Sequence, residues 1–78
     1  MRLISHNGRN DFPYEHAEVS LICGINDDFR IIVETFGNDE PYVLAIYKKE
    51  LEAKQALNRM REAYDRGDKY FQFKNATT

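Results

Sequence analysis

Apolar and polar residues alternate along much of the chain as far as Tyr47, and the pattern then changes to a helical period. Alternation puts successive side chains on opposite faces of a strand, whereas recurrence every three or four residues makes one stripe on a helix. On this basis strands are expected over residues 2–5, 10–15, 18–24, 29–36, 42–47 and 70–74, and a helix over 49–66. Val19, Leu21 and Cys23 oppose Ser20 and Ile22 on one strand. Phe29, Ile31 and Val33 share a face of the next, and Val43, Ala45 and Tyr47 oppose Tyr42, Leu44 and Ile46 on the one after.

Turn residues punctuate these runs. Asn7-Gly8 is a strong hairpin signal, because both residues tolerate the positive φ of a type I′ turn. Asn26-Asp27-Asp28 and Gly37-Asn38-Asp39-Glu40-Pro41 supply the later turns. Pro13 lacks an N–H, which makes the second strand an edge or an irregular stretch. Ala53, Ala56, Leu57, Met60, Ala63 and Tyr64 form the apolar stripe of the helix, and Gly67 is placed to end it. The expected fold is α+β: an antiparallel β-meander of about five strands, one amphipathic helix packed on one face, and a short C-terminal strand, in a single domain over residues 1–78.

One helix covers only one face of such a sheet. Ile22, Ile32, Leu44 and Ile46 then lie on the other face, and an uncovered apolar face marks an interface, the alternative being a sheet that curls into a half-barrel and buries both sides. Length sharpens this expectation. A 78-residue chain buries only about 60% of its unfolded surface, so small domains often lean on disulfides, a metal or a partner subunit. The single cysteine, Cys23, excludes a disulfide within the chain and points to a reducing compartment, the cytoplasm. His6 and His16 with one cysteine make no metal-ligand spacing, and no cofactor is expected. A homo-oligomer is therefore the expected state. No apolar run is long enough for a membrane span, and no signal-peptide pattern opens the chain. The Asn75-Ala76-Thr77 sequon is read as coincidental without a secretion signal.

The net charge of −2 is unevenly spread. Residues 1–47 carry three Arg against eight Asp or Glu, and residues 48–78 carry eight Lys or Arg against five Asp or Glu. The helical end is the positive end, which suits an anionic ligand, although a solvated helix face explains it equally simply. The acidic balance and the lack of a sustained basic stripe argue against general DNA or RNA binding.

Nothing in the chain looks catalytic, and an enzyme is not expected. Ser5 and His6 are neighbours on a strand and point to opposite faces, so they form no dyad. Asp27-Asp28 and Asp39-Glu40 are explained by their turns, and Cys23 by a buried place on an apolar face. The aromatic residues are more suggestive: five Phe and five Tyr, several beside cations, can stack a base and neutralise a phosphate. The candidate ligand-binding residues are Arg9, Asn10, Asp11 and Tyr14 on the irregular second strand, Arg59 and Arg61 on the helix, and Lys69 with Tyr70. Arginine forks to phosphate and tyrosine stacks on a base. Helix solubility and edge-strand packing are the simpler accounts of the same residues.

The opening Met1-Arg2-Leu3-Ile4-Ser5-His6-Asn7-Gly8-Arg9-Asn10-Asp11-Phe12-Pro13-Tyr14-Glu15 resembles a family of short proteins common in Firmicutes genomes and their phages, which open M-R-x-I-S-x-x-G-x-x-D-x-P-Y-E. Leu44-Ala45-Ile46-Tyr47, followed by Ala53, Ala56-Leu57, Met60-Arg61 and Ala63-Tyr64, is similar to that family's L-A-x-Y strand and its helix ending in M-R-x-A-Y. A looser similarity, in topology and size, links the chain to phage proteins that counter the Thoeris system by sequestering cyclic nucleotide signals as homo-oligomers. The resemblance implies a non-enzymatic, phage or prophage-type sponge for a small anionic ligand in the host cytoplasm. The alternative is a small adaptor or inhibitor that binds a host or phage protein through its exposed sheet face. Two departures stand out: Lys48-Lys49 replaces the family's Ser or Thr helix cap, and only a short link separates the helix from the last strand.

Overall fold

The computed structural model describes residues 1–35, 37 and 40–74. The elements run in the order β1 (Arg2–Ile4), β2 (Asp11–Pro13), a 3-10 turn (Tyr14–His16), β3 (Ala17–Cys23), β4 (Phe29–Thr35), β5 (Tyr42–Tyr47), α1 (Glu50–Arg66) and β6 (Tyr70–Gln72). The fold is α+β, as the periodicity predicts. The strands, however, form two three-stranded sheets rather than one meander. β3, β4 and β5 make an antiparallel meander, and β1 lies between β2, antiparallel, and β6, parallel.

The break falls where Pro13 ends β2. The chain turns once through the 3-10 segment before β3 begins, and the Ala17 N–H closes that turn on the Tyr14 carbonyl. The β1–β2 connection also departs from expectation. Asn7 does not adopt positive φ, so the turn is not type I′. The Gly8 N–H bonds the Ser5 carbonyl at 2.9 Å, while the Asn7 side chain accepts from the Ser5 hydroxyl at 2.7 Å and the Arg9 N–H at 3.0 Å. Ser5 is fully buried, and the Asn10 N–H at 3.3 Å completes its hydrogen bonding.

A β-bulge in β5 changes which residues face the core. The register runs from Ile31 opposite Ala45 to Ile32 opposite Val43, which leaves Leu44 as the extra residue. Leu44 and Ala45 are consequently both fully buried, although simple alternation assigns Leu44 to the outer face. The bulge also frees the Leu44 carbonyl. The His6 N–H donates to it at 2.9 Å, and the His6 ring Nδ1 lies 3.0 Å from the same oxygen. The bulge therefore ties the end of β1 to β5 and joins the two sheets.

α1 packs against β4, β5 and β6. Ala53, Ala56, Leu57, Met60 and Ala63 are buried, and the first four meet Leu3, Ile31, Val33, Leu44, Ala45, Tyr47 and Phe73 in one core. Tyr64, the outermost member of the stripe, is exposed but lies against Tyr14 with ring centroids 4.5 Å apart. The helix starts at Lys49 with no side-chain cap, and Glu50 and Glu52 in the first turn offset the exposed N–H groups. It ends in a Schellman motif. Gly67 adopts φ 82°, its N–H bonds the Tyr64 carbonyl at 3.0 Å, and the Asp68 N–H bonds Ala63 at 3.0 Å.

Two further expectations are corrected. Cys23 is exposed, at the last position of β3 where the hairpin turns into β4. Ile32 keeps only 7% of its surface, lying on the central strand between Ser20 and Val43. Leu44 and Ile32 are thus buried within one chain and leave the candidate interface, while Ile22 is 41% exposed and Ile46 half-buried. The sequon, the tail over 75–78 and part of the turn over 37–41 lie outside the described residues. No helix among the described residues is long and apolar enough to cross a membrane.

Candidate ligand-binding cleft

The two arginines proposed from the helix do not act together. Residues two apart on an α-helix point about 200° away from each other. Arg59 and Arg61 therefore emerge on opposite edges of α1, each beside a different cleft.

The cleft at the Arg59 edge has a volume of about 200 Å³ and is lined by Tyr47, Ala56, Arg59, Phe71, Gln72, Phe73 and Lys74. Each wall is set by the fold. Tyr47 ends β5 facing the core, and Ala56 and Arg59 lie on adjacent helical turns. Phe71 and Phe73 come from β6 and the residue just after it, their rings meeting edge to face at 5.0 Å and 83°. The Phe73 N–H bonds the Ile4 carbonyl at 3.1 Å, which fixes this end of the chain against β1. Gln72 reaches the Ser5 carbonyl at 3.4 Å.

The electrostatics of the cleft are positive. Among the described residues neither Arg59 nor Lys74 has an ion pair. Burial pushes the Tyr47 phenol above its ordinary value of 10.0. The Arg59 charge and a hydrogen bond from the Lys74 backbone pull it down, and Glu52, one helical turn before Ala56, pushes it up. Tyr47 therefore stays neutral, accepting from the Lys74 backbone N–H beside the Arg59 charge. Aromatic walls, a neutral hydroxyl and two basic side chains are groups of the kind that can bind a phosphate and pack on a flat ring. No titratable group here has the base partner a nucleophile requires.

The remaining candidates disperse. Arg61 borders a wider cleft of about 330 Å³ with Leu21, Lys54, Leu57 and Asn58. Lys69 and Tyr70 line an open hollow of about 440 Å³ beside Asp68. Tyr14 is engaged with Tyr64, and the Asn10 amide donates to the Tyr42 hydroxyl. Asp11 pairs with Arg2 at 2.6 Å, and Arg9 sits exposed in the hairpin turn. Asn10, Asp11 and Tyr14 thus have structural partners, and of the candidates Arg59 alone lines the α1–β6 cleft. Sequence reasoning missed Tyr47 and Gln72, and reached Lys74 only as a cation beside the C-terminal aromatic residues. The available signal was spacing, since Tyr47 stands just before the helix whose Ala56-to-Arg59 edge it meets. Among the described residues no cluster of His, Cys, Asp or Glu is arranged to hold a metal.

No protein-family model matches the chain, no curated protein matches it, and no solved structure matches its fold.

Proposed function

We propose that this chain is a non-enzymatic binding protein that captures a small phosphate-bearing ligand in the cleft between α1 and β6. The observation that carries the proposal is the pairing of Arg59 and Lys74, two cations without carboxylate partners among the described residues, with the aromatic walls of Tyr47 and Phe71. The resemblance to the phage sponges names the ligand class as a cyclic nucleotide signal and the role as sequestration. At about 200 Å³ the cleft lies below the roughly 300–1,000 Å³ of sites that engulf a drug-sized molecule. It accommodates one phosphate and part of a ring, so a larger nucleotide projects beyond it.

Native mass spectrometry with cyclic ADP-ribose isomers, cyclic di- and trinucleotides and inorganic phosphate tests the proposal. The expected result is a ligand adduct whose ligand is released unchanged. Arg59→Gln removes a charge-assisted hydrogen bond and weakens binding about tenfold or more. Absence of any adduct, or full affinity in both Arg59→Gln and Lys74→Gln, removes this function. Release of an altered ligand makes the chain an enzyme instead.

A second reading rests on a different observation. The outer face of β3–β5 carries Ile22, Val43 and Ile46 with no helix over them, which suits an adaptor that docks on a protein. Ile22→Asp separates the two readings, because it leaves the α1–β6 cleft untouched.

A further inference from the structure

The two sheets have four edges, and three of them are blunted against self-pairing. β2 is three residues long and contains Pro13. β6 is three residues long and lies between Lys69 and Lys74. β5 carries the bulge at Leu44, whose carbonyl is taken by His6. Short strands, proline, lysine and bulges are the devices that keep sheet edges from pairing with other chains. β3 has none of them: it runs for seven residues without proline, lysine, arginine or a bulge.

The backbone of β3 also presents the right groups. The Gly24 N–H bonds the Asp28 carbonyl at 2.8 Å, so Gly24 and Asp28 are a hydrogen-bonded pair. Antiparallel pairs alternate, and the register then turns Ser20 and Ile22 toward β4 and Val19, Leu21 and Cys23 away from it. Among the described residues nothing accepts from or donates to those outward groups.

We infer that β3 pairs with β3 of a second copy of this chain, antiparallel about a twofold axis at Ser20. This register is self-complementary over the full strand. Val19 stands opposite Leu21 of the second copy, Glu18 opposite Ile22, and Ala17 opposite Cys23. The outward groups of Val19 and Leu21 then form hydrogen-bonded pairs, and Ser20 meets its counterpart as a non-hydrogen-bonded pair. Glu18, the strand's single charge, faces an isoleucine rather than its own copy, so no like charges oppose each other. Each residue meets one on the same face of the joined six-stranded sheet, and Ile22, 41% exposed in one chain, is covered by the Glu18 stem. The inference is independent of the ligand cleft, which lies on the β6 side of the helix.

Sedimentation of the full chain, with cysteine cross-linking, tests it. The chain is expected to run at twice its mass. In a Cys23→Ser background, Ser20→Cys oxidises to a covalent dimer, whereas Ile22→Cys does not, because the two copies of residue 22 lie four residues out of register. Val19→Pro removes an outward N–H that the single chain does not use and is expected to give a folded monomer. A wild-type chain that stays monomeric up to millimolar concentration overturns the inference. So does a dimer that cross-links through Ile22→Cys and not Ser20→Cys, which is packing through the outer face. Should Val19→Pro fail to fold, the cross-linking pattern decides.

Discussion

Leu44→Ala tests the bulge that joins the two sheets. With uninterrupted alternation Leu44 shares a face with Ile46 and points outward. With the bulge it is fully buried among Leu3, Ala45 and the helix. A buried leucine truncated to alanine loses its transfer free energy and leaves a cavity, costing about 2–5 kcal/mol. Domains of this size have a total stability of about 4–12 kcal/mol, so the loss is a large fraction of what holds the fold. Leu51, on the exposed side of the helix at 66% accessibility, is the internal control, and its alanine variant is expected to change stability by no more than about 0.5 kcal/mol. Urea unfolding monitored by far-ultraviolet circular dichroism reads both. With an m-value near the low end, about 1 kcal/mol per molar, the Leu44→Ala midpoint falls by about 2 M or more. Leu44→Met conserves volume and costs under about 1.5 kcal/mol, which keeps the position measurable if the alanine variant does not fold. A Leu44→Ala cost below about 1 kcal/mol, equal to that of Leu51→Ala, would refute the bulge.

Three other outcomes depend on particular groups. Gly67→Ala places a side chain at φ 82° with nothing within 4 Å of the new methyl, so its cost is purely conformational, about 1–2 kcal/mol in the same urea assay. Lys49→Asp supplies the missing N-cap acceptor and raises stability by about 1 kcal/mol; an unchanged midpoint would mean that the first-turn N–H groups already have partners. Burial raises the Tyr47 phenol, so the folded chain holds that proton more tightly than the unfolded chain. Its contribution is complete below pH 10 and is lost as pH rises through the folded value. Ultraviolet titration should show the Tyr47 phenol ionising above 10.0, and later still in Arg59→Gln.

Local chemistry was legible in the sequence, and pairing between distant segments was not. The helix, its buried stripe and its glycine stop come from a 3.6-residue period and one residue able to adopt positive φ, and they appear as expected. β3, β4 and β5 come from alternation and turn residues with no large change of bounds. The bulge was invisible because one extra residue leaves the local pattern intact and shifts only the facing of the residues beyond it. The parallel pairing of β6 with β1 was invisible for another reason: it joins residues nearly a whole chain apart, and neither three-residue strand carries a signal for its partner. The candidate cleft is built on that pairing, so sequence reasoning reached Arg59 and Lys74 by residue type but could not bring them together with Tyr47 and Gln72.

This division also determines what can be altered separately. The cleft belongs to the side of the helix where β6 is held by β1, and β1 is held to β5 by the His6 contacts with the Leu44 carbonyl. The β3 edge lies on the other side, beyond Leu21 and the Arg61 edge of the helix. A change that weakens the His6–Leu44 link loosens the wall carrying Phe71 and Phe73 while the β3–β4 ladder keeps its own hydrogen bonds. His6→Ala removes the ring contact but keeps the backbone N–H, so it should reduce ligand affinity before it affects self-association. Val19→Pro should do the reverse, leaving affinity per chain unchanged while the dimer is lost. Titration of phosphate-bearing ligand against each variant, with sedimentation at the same concentrations, measures both quantities. Loss of affinity and of the dimer together in Val19→Pro, with the chain still folded, would show that the two sides of the helix are not independent and that the cleft is completed by the second copy.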